Sequence, residues 1–260
     1  MKITSILFFC LLSFQLSAQN LTIDQIVEKA NEANRYFGDD VKSTALMDVR
    51  DKSGKTIMER ELVILRKNTG GLNQKWYAYF KQPADLKKMV FMAWKQDGKK
   101  SDKRWLYLPN LDLVKRLSTA DKRGSFAGSQ FTYEDVTGRR PNEDTHELLE
   151  TTDVAYQIKS TPKKPASVEF SYFVSWVDKT TFLPTKAILY DKSGDAYKQF
   201  DVLESEQIQN FPTMTKFSMT NIKTKESTII TMTNIQYNSG IIERIFSEGS
   251  LRRAPRQYLR

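Results

Sequence analysis

Two periodicities divide the chain. Ile23, Ile26, Val27, Ala30, Ala33 and Phe37 recur at helical spacing and fall on one face of a predicted helix. Thr22 and Gln25 form the capping box that starts this helix, and Gly38 ends it. From Val41 the period changes to two. Val41, Ala45, Met47 and Val49 alternate with Lys42, Thr44, Asp48 and Arg50, which marks a strand buried on one face. Ser53-Gly54 turns the chain into a return strand over 57–67, and Thr69-Gly70-Gly71 turns it again. The pattern continues through 72–81, 89–94 and 105–108. In 168–176 it places Val168, Phe170, Tyr172, Val174 and Trp176 on one face. With the segments 154–158, 186–190, 196–203, 213–222 and 228–237 this makes a run of roughly ten strands.

Hairpin connections imply antiparallel pairing, because parallel strands need crossovers. A sheet this long curls. Curled around one apolar face with one or two helices to fill it, the chain is expected to form an α+β, mainly β fold. That fold is a single antiparallel unclosed barrel, or half-barrel, with helices across its concave hydrophobic face. Three strands depart from simple alternation: Trp76–Phe80, Met89–Trp94 and Trp105–Leu108 are large and apolar on both faces. One face has the helices to meet, and the other needs a cover or a ligand. Aromatic residues make up 12% of the chain, enough either to fill a core or to line a cavity.

The stretch from Trp105 to Val136 is the most distinctive. After the strand comes Pro109, which cannot donate to a ladder. Leu111, Val114 and Leu117 follow at helical spacing and predict a short helix over 110–117. A polar loop with Gly124 and Gly128 leads into Phe131-Thr132-Tyr133-Glu134-Asp135. The runs YLPNLDLVKRL and GSFAGSQFTYEDV resemble the signature of the outer membrane lipoprotein-sorting protein family, related to the LolA and LolB lipoprotein carriers. A late IFSEGSLRRAP is similar to that family's closing pattern, so the resemblance extends over about Leu21 to Arg253. It implies an unclosed β-barrel with a hydrophobic cavity for acyl chains, lined here by residues such as Trp76, Phe80, Phe91, Leu106 and Tyr172. Which alternating set faces inward stays open, since a one-residue slip exchanges the faces. Leu111, Val114 and Leu117 are expected in a lid, and Lys122 and Arg123 on a movable rim near any headgroup.

The N-terminus bears on the compartment. Met1-Lys2, an apolar run from Ile3 to Leu16 and the small Ala18 predict a cleavable signal peptide over 1–18, leaving one domain over 19–260. Cys10, the sole cysteine, follows Phe9 where lipidation needs a small residue, so an unlipidated periplasmic protein is expected. The formal charge of +9 favours anionic lipid or membrane over nucleic acid in an exported protein.

Catalytic signals are sparse. His146 is the single histidine. A Ser-His-Asp set can be drawn from Ser125 or Ser129, His146 and Asp135, but no G-x-S-x-G elbow accompanies it. No cofactor fingerprint is present, and the residues offer no metal site. Glu134-Asp135 suits a turn cap or a cation. The resemblance therefore implies a non-enzymatic carrier of acyl chains of a lipoprotein or lipid. An inner-membrane exporter and an outer-membrane acceptor would be its partners. A lipid-sensing module of the same fold is the alternative, and a lipid hydrolase a third reading.

Overall fold

The computed structural model describes residues 21–98 and 101–259, so the predicted signal peptide and Cys10 lie outside the described residues. Helix α1 (Ile23–Arg35) precedes six strands: β1 (Asp40–Arg50), β2 (Thr56–Asn68), β3 (Gln74–Gln82), β4 (Val90–Lys95), β5 (Lys103–Leu108) and β6 (Leu113–Leu117). A short helix, α2 (Tyr133–Thr137), leads to β7 (Asp144–Thr151), β8 (Ala155–Pro162) and β9 (Tyr172–Asp178). After β10 (Pro184–Tyr190), β11 (Ala196–Ile208), β12 (Phe211–Asn221) and β13 (Ser227–Tyr237), the chain closes with α3 (Gly249–Arg252).

All thirteen strands form one antiparallel sheet, ordered β6-β5-β4-β3-β2-β1-β13-β12-β11-β10-β9-β8-β7. Pairing of β1 with β13 joins the two halves. Strands β6 and β7 remain unpaired with one another, so the barrel is unclosed, as the alternation and hairpin turns predicted. Residues 118–143 connect these two edges. Phe126 and Phe131 within that connection are buried against Phe80, Phe91 and Phe217.

The strands that are apolar on both faces carry cover on both. On the concave side Leu62, Ala78, Phe80 and Phe91 pack against Phe126 and Phe131. On the convex side Leu65, Tyr77, Met92 and Trp105 pack against Ile241, Ile245, Phe246 and Leu251 of the C-terminal segment. Trp94 Nε1 donates to the Phe246 carbonyl at 2.8 Å, and the Tyr77 hydroxyl donates to the Ser250 carbonyl at 2.8 Å. IFSEGSLRRAP is thus the convex cover of the sheet.

Several expectations are corrected. The run 110–117 is not a helix: Pro109–Leu111 is a single 3-10 turn, Asp112 takes a left-handed conformation (φ 43°), and β6 follows, paired with β5. Helical spacing of three apolar residues was outweighed by the backbone partners that β5 offers. Strand β7 was absent from the expected run because its DTHELLET sequence has no one-sided alternation. It is an edge strand with Leu148 and Leu149 exposed. The segment 168–176 is strand only from Tyr172.

Candidate functional site

Between α1, the middle of the sheet and α2 lies a cavity of about 450 Å³. Its apolar wall comes from Val27, Ala30 and Phe37 near α1, Ala45 and Met47 of β1, and Phe173 and Val177 of β9. Met214, Phe217 and Met219 of β12, with Ile230 and Met232 of β13, complete it. Methionine suits such a wall because its unbranched thioether adapts to irregular shapes.

Helix α1 is seated by its two ends. The capping box is present: Gln25 N–H donates to Thr22 Oγ1 at 3.3 Å, and Thr22 N–H to Gln25 Oε1 at 2.9 Å. In the first turn, Ile26 is fully buried against Ile158 and Val177. At the C-terminus the carbonyls left without helical donors are met from the sheet. Gln74 Nε2 donates to the Arg35 carbonyl at 2.7 Å, Asn68 Nδ2 to that of Tyr36 at 2.8 Å, and the Arg66 guanidinium to those of Arg35 and Phe37.

This end of the cavity is polar and charged: Arg35, Arg66, Arg139 and Arg140 line it with Glu134, Asp135 and Asp144, and Arg139 pairs with Glu134 and Asp144. Arg35 spans to the C-terminal turn of α2, donating to the Val136 and Asp135 carbonyls at 3.1 Å each. Gly138 (φ 77°) admits it, because a Cβ there would stand 2.9 Å from Arg35 Nε. Arg140 donates to the Gln96 carbonyl at 2.9 Å and pairs with Asp102, which also holds Arg104 at 2.8 Å. Burial alone would raise the Asp102 carboxyl, but the hydrogen bond and charge of Arg140, with Arg104, hold it below the usual range. Burial lowers Arg66 to about 10. Lys95, 2% exposed, lies on the concave face of β4, cross-strand from Gln74. Burial, then the charges of Arg35 and Arg140, lower it to about 7.

The predicted site residues divide. Trp76 lines the cavity. Phe80, Phe91 and Leu106 belong to the packed concave core beside it, closed over by Phe126. Tyr172 is turned to the other face of β9, stacked 4.5 Å from Tyr190, while Phe173, Ser175 and Val177 face the cavity. This is the one-residue exchange of faces that period two permits. Leu111 is 70% exposed, Val114 packs on the convex side and Leu117 is buried in the concave core, so the three do not form a lid. Nor is Lys122 at a rim: it is 6% exposed and donates to Glu134 at 2.7 Å. Arg123 pairs with Glu169 at 3.0 Å. The connection 118–132 is pinned by Phe126 and Phe131.

Sequence reasoning missed the cationic end, whose members come from α1, β2, β4, β5 and the 139–143 turn and share no local motif. Asp135 caps α2, accepting from Thr132 N–H at 2.7 Å, as a T-x-x-D spacing foretells. His146 faces Ser160 across the β7–β8 ladder, Nδ1 to Oγ 2.9 Å, with Nε2 2.9 Å from the Pro141 carbonyl. Ser125 donates instead to the Ser129 carbonyl and Ser129 Oγ to that of Phe131, so the drawn triad is not assembled. Among the described residues no group of three or more His, Cys, Asp or Glu could hold a metal, and no helix is long and apolar enough to cross a membrane.

A second, wider groove of about 850 Å³ lies on the convex side. Lys81, Lys87, Lys88, Arg252, Arg253 and Arg256 give it a basic wall.

A protein-family model described only as "-like: Uncharacterized protein" matches residues 72–253. No curated protein matches the chain. Among solved structures, a DUF1329 family protein from Desulfovibrio piger is 27% identical with a TM-score of 0.80, over 88% of this chain and 98% of its own. A protein from Vibrio parahaemolyticus described as an outer membrane lipoprotein-sorting protein domain is 24% identical with a TM-score of 0.80, over 87% and 97%. A LolA superfamily protein from Nitrosomonas europaea is 19% identical with a TM-score of 0.66, over 88% and 99%. These neighbours share the half-barrel and agree with the group that the sequence resembles.

Proposed function

This chain belongs to the family of uncharacterized proteins whose model spans residues 72–253, and from that premise we propose that it is a periplasmic carrier shielding acyl chains. The signal over 1–18 would export it, and one unlipidated domain over 19–260 would do the work. The observation that carries the reading is the apolar cavity under α1. Its volume of about 450 Å³ falls within the roughly 300–1,000 Å³ of small-ligand pockets. Each methylene buried there contributes about 0.8 kcal/mol, so ten or so offset the ordering cost of association. Transfer by mass action needs no nucleophile, and the role is non-enzymatic. An inner-membrane exporter and an outer-membrane acceptor are its proposed partners. The neighbour described as a lipoprotein-sorting domain supports a cargo of lipoprotein or lipid.

The test places a carboxylate on each face of β9. Phe173→Glu puts a charge into the cavity, while Tyr172→Glu puts one on the opposite face. A fluorescent acyl probe should bind wild type and Tyr172→Glu alike and lose at least tenfold in affinity for Phe173→Glu, about the cost of burying one unpaired polar group, with circular dichroism unchanged. Equal binding by both variants, or no binding by wild type, refutes the carrier.

A further inference from the structure

The cationic end of the cavity holds more donors than acceptors. Arg35, Arg66, Arg139 and Arg140 line the cavity, and Lys95, buried outside that lining, feels the charges of Arg35 and Arg140. The carboxylates at this end are already engaged: Asp102 is shared between Arg104 and Arg140, buried Glu134 and Asp144 are held by Lys122 and Arg139, and Asp135 caps α2. Glu143, half-buried, stands 3.9 Å from Arg140. Arg66 and Arg35 direct their terminal nitrogens at backbone carbonyls, and the charges of Asp40 and Asp135 offset burial only in part, since both guanidinium groups stay lowered. Among the described residues Lys95 Nζ, Arg66 Nε, Arg104 Nε and Arg140 Nε are buried donors without a hydrogen-bond partner, against one such acceptor in the cavity lining, Asn34 Oδ1. The face of Tyr36, 5.9 Å from Lys95 Nζ, is the nearest aromatic contact to that amine.

A buried donor without an acceptor costs free energy, and a buried charge without a counter-charge costs more. An ordinary core removes such groups. Several together, at one end of an apolar cavity, describe a place where acceptor oxygens and negative charge arrive from outside. We propose that this end is a subsite for the anionic group of an acylated amphiphile, a phosphate or carboxylate, met by Arg66 and Arg140 of the lining, with the charge of Lys95 behind them. The apolar wall from Val27 to Met232 then takes the chain, and the two regions together select anionic over neutral amphiphiles. The assignment rests on the carrier reading and adds the class of headgroup. It moves headgroup recognition from Lys122 and Arg123 to residues that no local motif connects. The lowered proton affinity of Lys95 has a related origin: burial and the charges of Arg35 and Arg140 outweigh those of Asp102 and Glu143.

The experiment uses mono-oleoylglycerol, oleate and 1-oleoyl lysophosphatidate as competitors against a fluorescent acyl probe, with inorganic phosphate titrated separately by calorimetry. Wild type should prefer the two anionic amphiphiles over the neutral one by about tenfold or more, the range of a hydrogen bond to a charged group. Lys95→Met should erase that preference while leaving affinity for mono-oleoylglycerol unchanged. Lys95→Gln and Arg140→Gln serve in its place if Lys95→Met does not fold. Equal affinity of wild type for all three, or a preference that survives these substitutions, overturns the subsite and leaves the carrier standing. If wild type binds no amphiphile, the carrier reading fails. Phosphate binding that is lost in Lys95→Met would then retain the anion site with a free anion as its ligand, and absence of both would end the proposal.

Discussion

Lys95 shows how one side chain can cost stability where it sits. Its amine is buried without a partner, and burial among Arg35 and Arg140 lowers it to about 7. The unfolded chain holds that proton up to about 10.4. Between the two values the unfolded state binds more protons, so stability rises with pH across this window. The destabilisation is full below about pH 7 and relieved towards pH 10. Lys95→Met should therefore be more stable than wild type at pH 7 by about 1–3 kcal/mol, the cost of an unsatisfied buried polar group. The gap should narrow as pH rises to 10. Urea denaturation of both proteins at several pH values measures it. A gap that is absent, or that widens with pH, contradicts the assignment.

At the scale of elements, the connection 118–132 acts as an internal plug. Phe126 meets Phe80, Phe91 and Tyr133 with ring centroids 5.5–5.8 Å apart. Lys198 Nζ holds the Gln130 carbonyl at 2.8 Å, and Gln130 N–H donates to Thr228 Oγ1 at 3.0 Å. Phe126→Ala should cost about 3–5 kcal/mol by chemical denaturation, the usual loss for a buried phenylalanine. It should also enlarge the cavity toward Phe91. A loss under 1 kcal/mol would mean that the loop stands off the core. The glycines at 124 and 128, which hinted at a moving rim, instead accommodate a tight return, with Phe126 N–H donating to the Phe131 carbonyl at 2.8 Å.

For the whole molecule, one sheet has to be covered on both sides over part of its extent. The C-terminal segment supplies the convex cover, tied further by Arg252 Nε donating to Asp112 at 2.9 Å. A chain ending at Gly240 would expose Val63, Leu65, Tyr77, Val90, Met92 and Trp105 together. Contiguous apolar surface of that kind drives association. The shortened protein should elute from size exclusion as aggregate, whereas a stable monomer would show that the segment is dispensable. The basic groove beside this segment gathers part of the molecule's positive charge on the convex side.

The period-two pattern, the hairpin turns and the Thr22–Gln25 box determined the antiparallel half-barrel and the position of α1, because those features depend on residues close in sequence. Both-faced apolarity at Trp76–Phe80 and Met89–Trp94 determined that two covers were needed, though not which segments would provide them. The helix expected over 110–117 shows the limit of local spacing: Leu111, Val114 and Leu117 fit two conformations, and pairing with β5 selected the strand. At β9 the alternation was legible and its direction was not, since Tyr172 and Phe173 are both large aromatics and only the curl of the sheet decides which points inward. Tertiary structure alone decided the cationic end. Arg35, Arg66, Lys95 and Arg140 are ordinary charges along the chain, and they come together as the proposed anion subsite because α1, β2, β4 and the turn after α2 meet there.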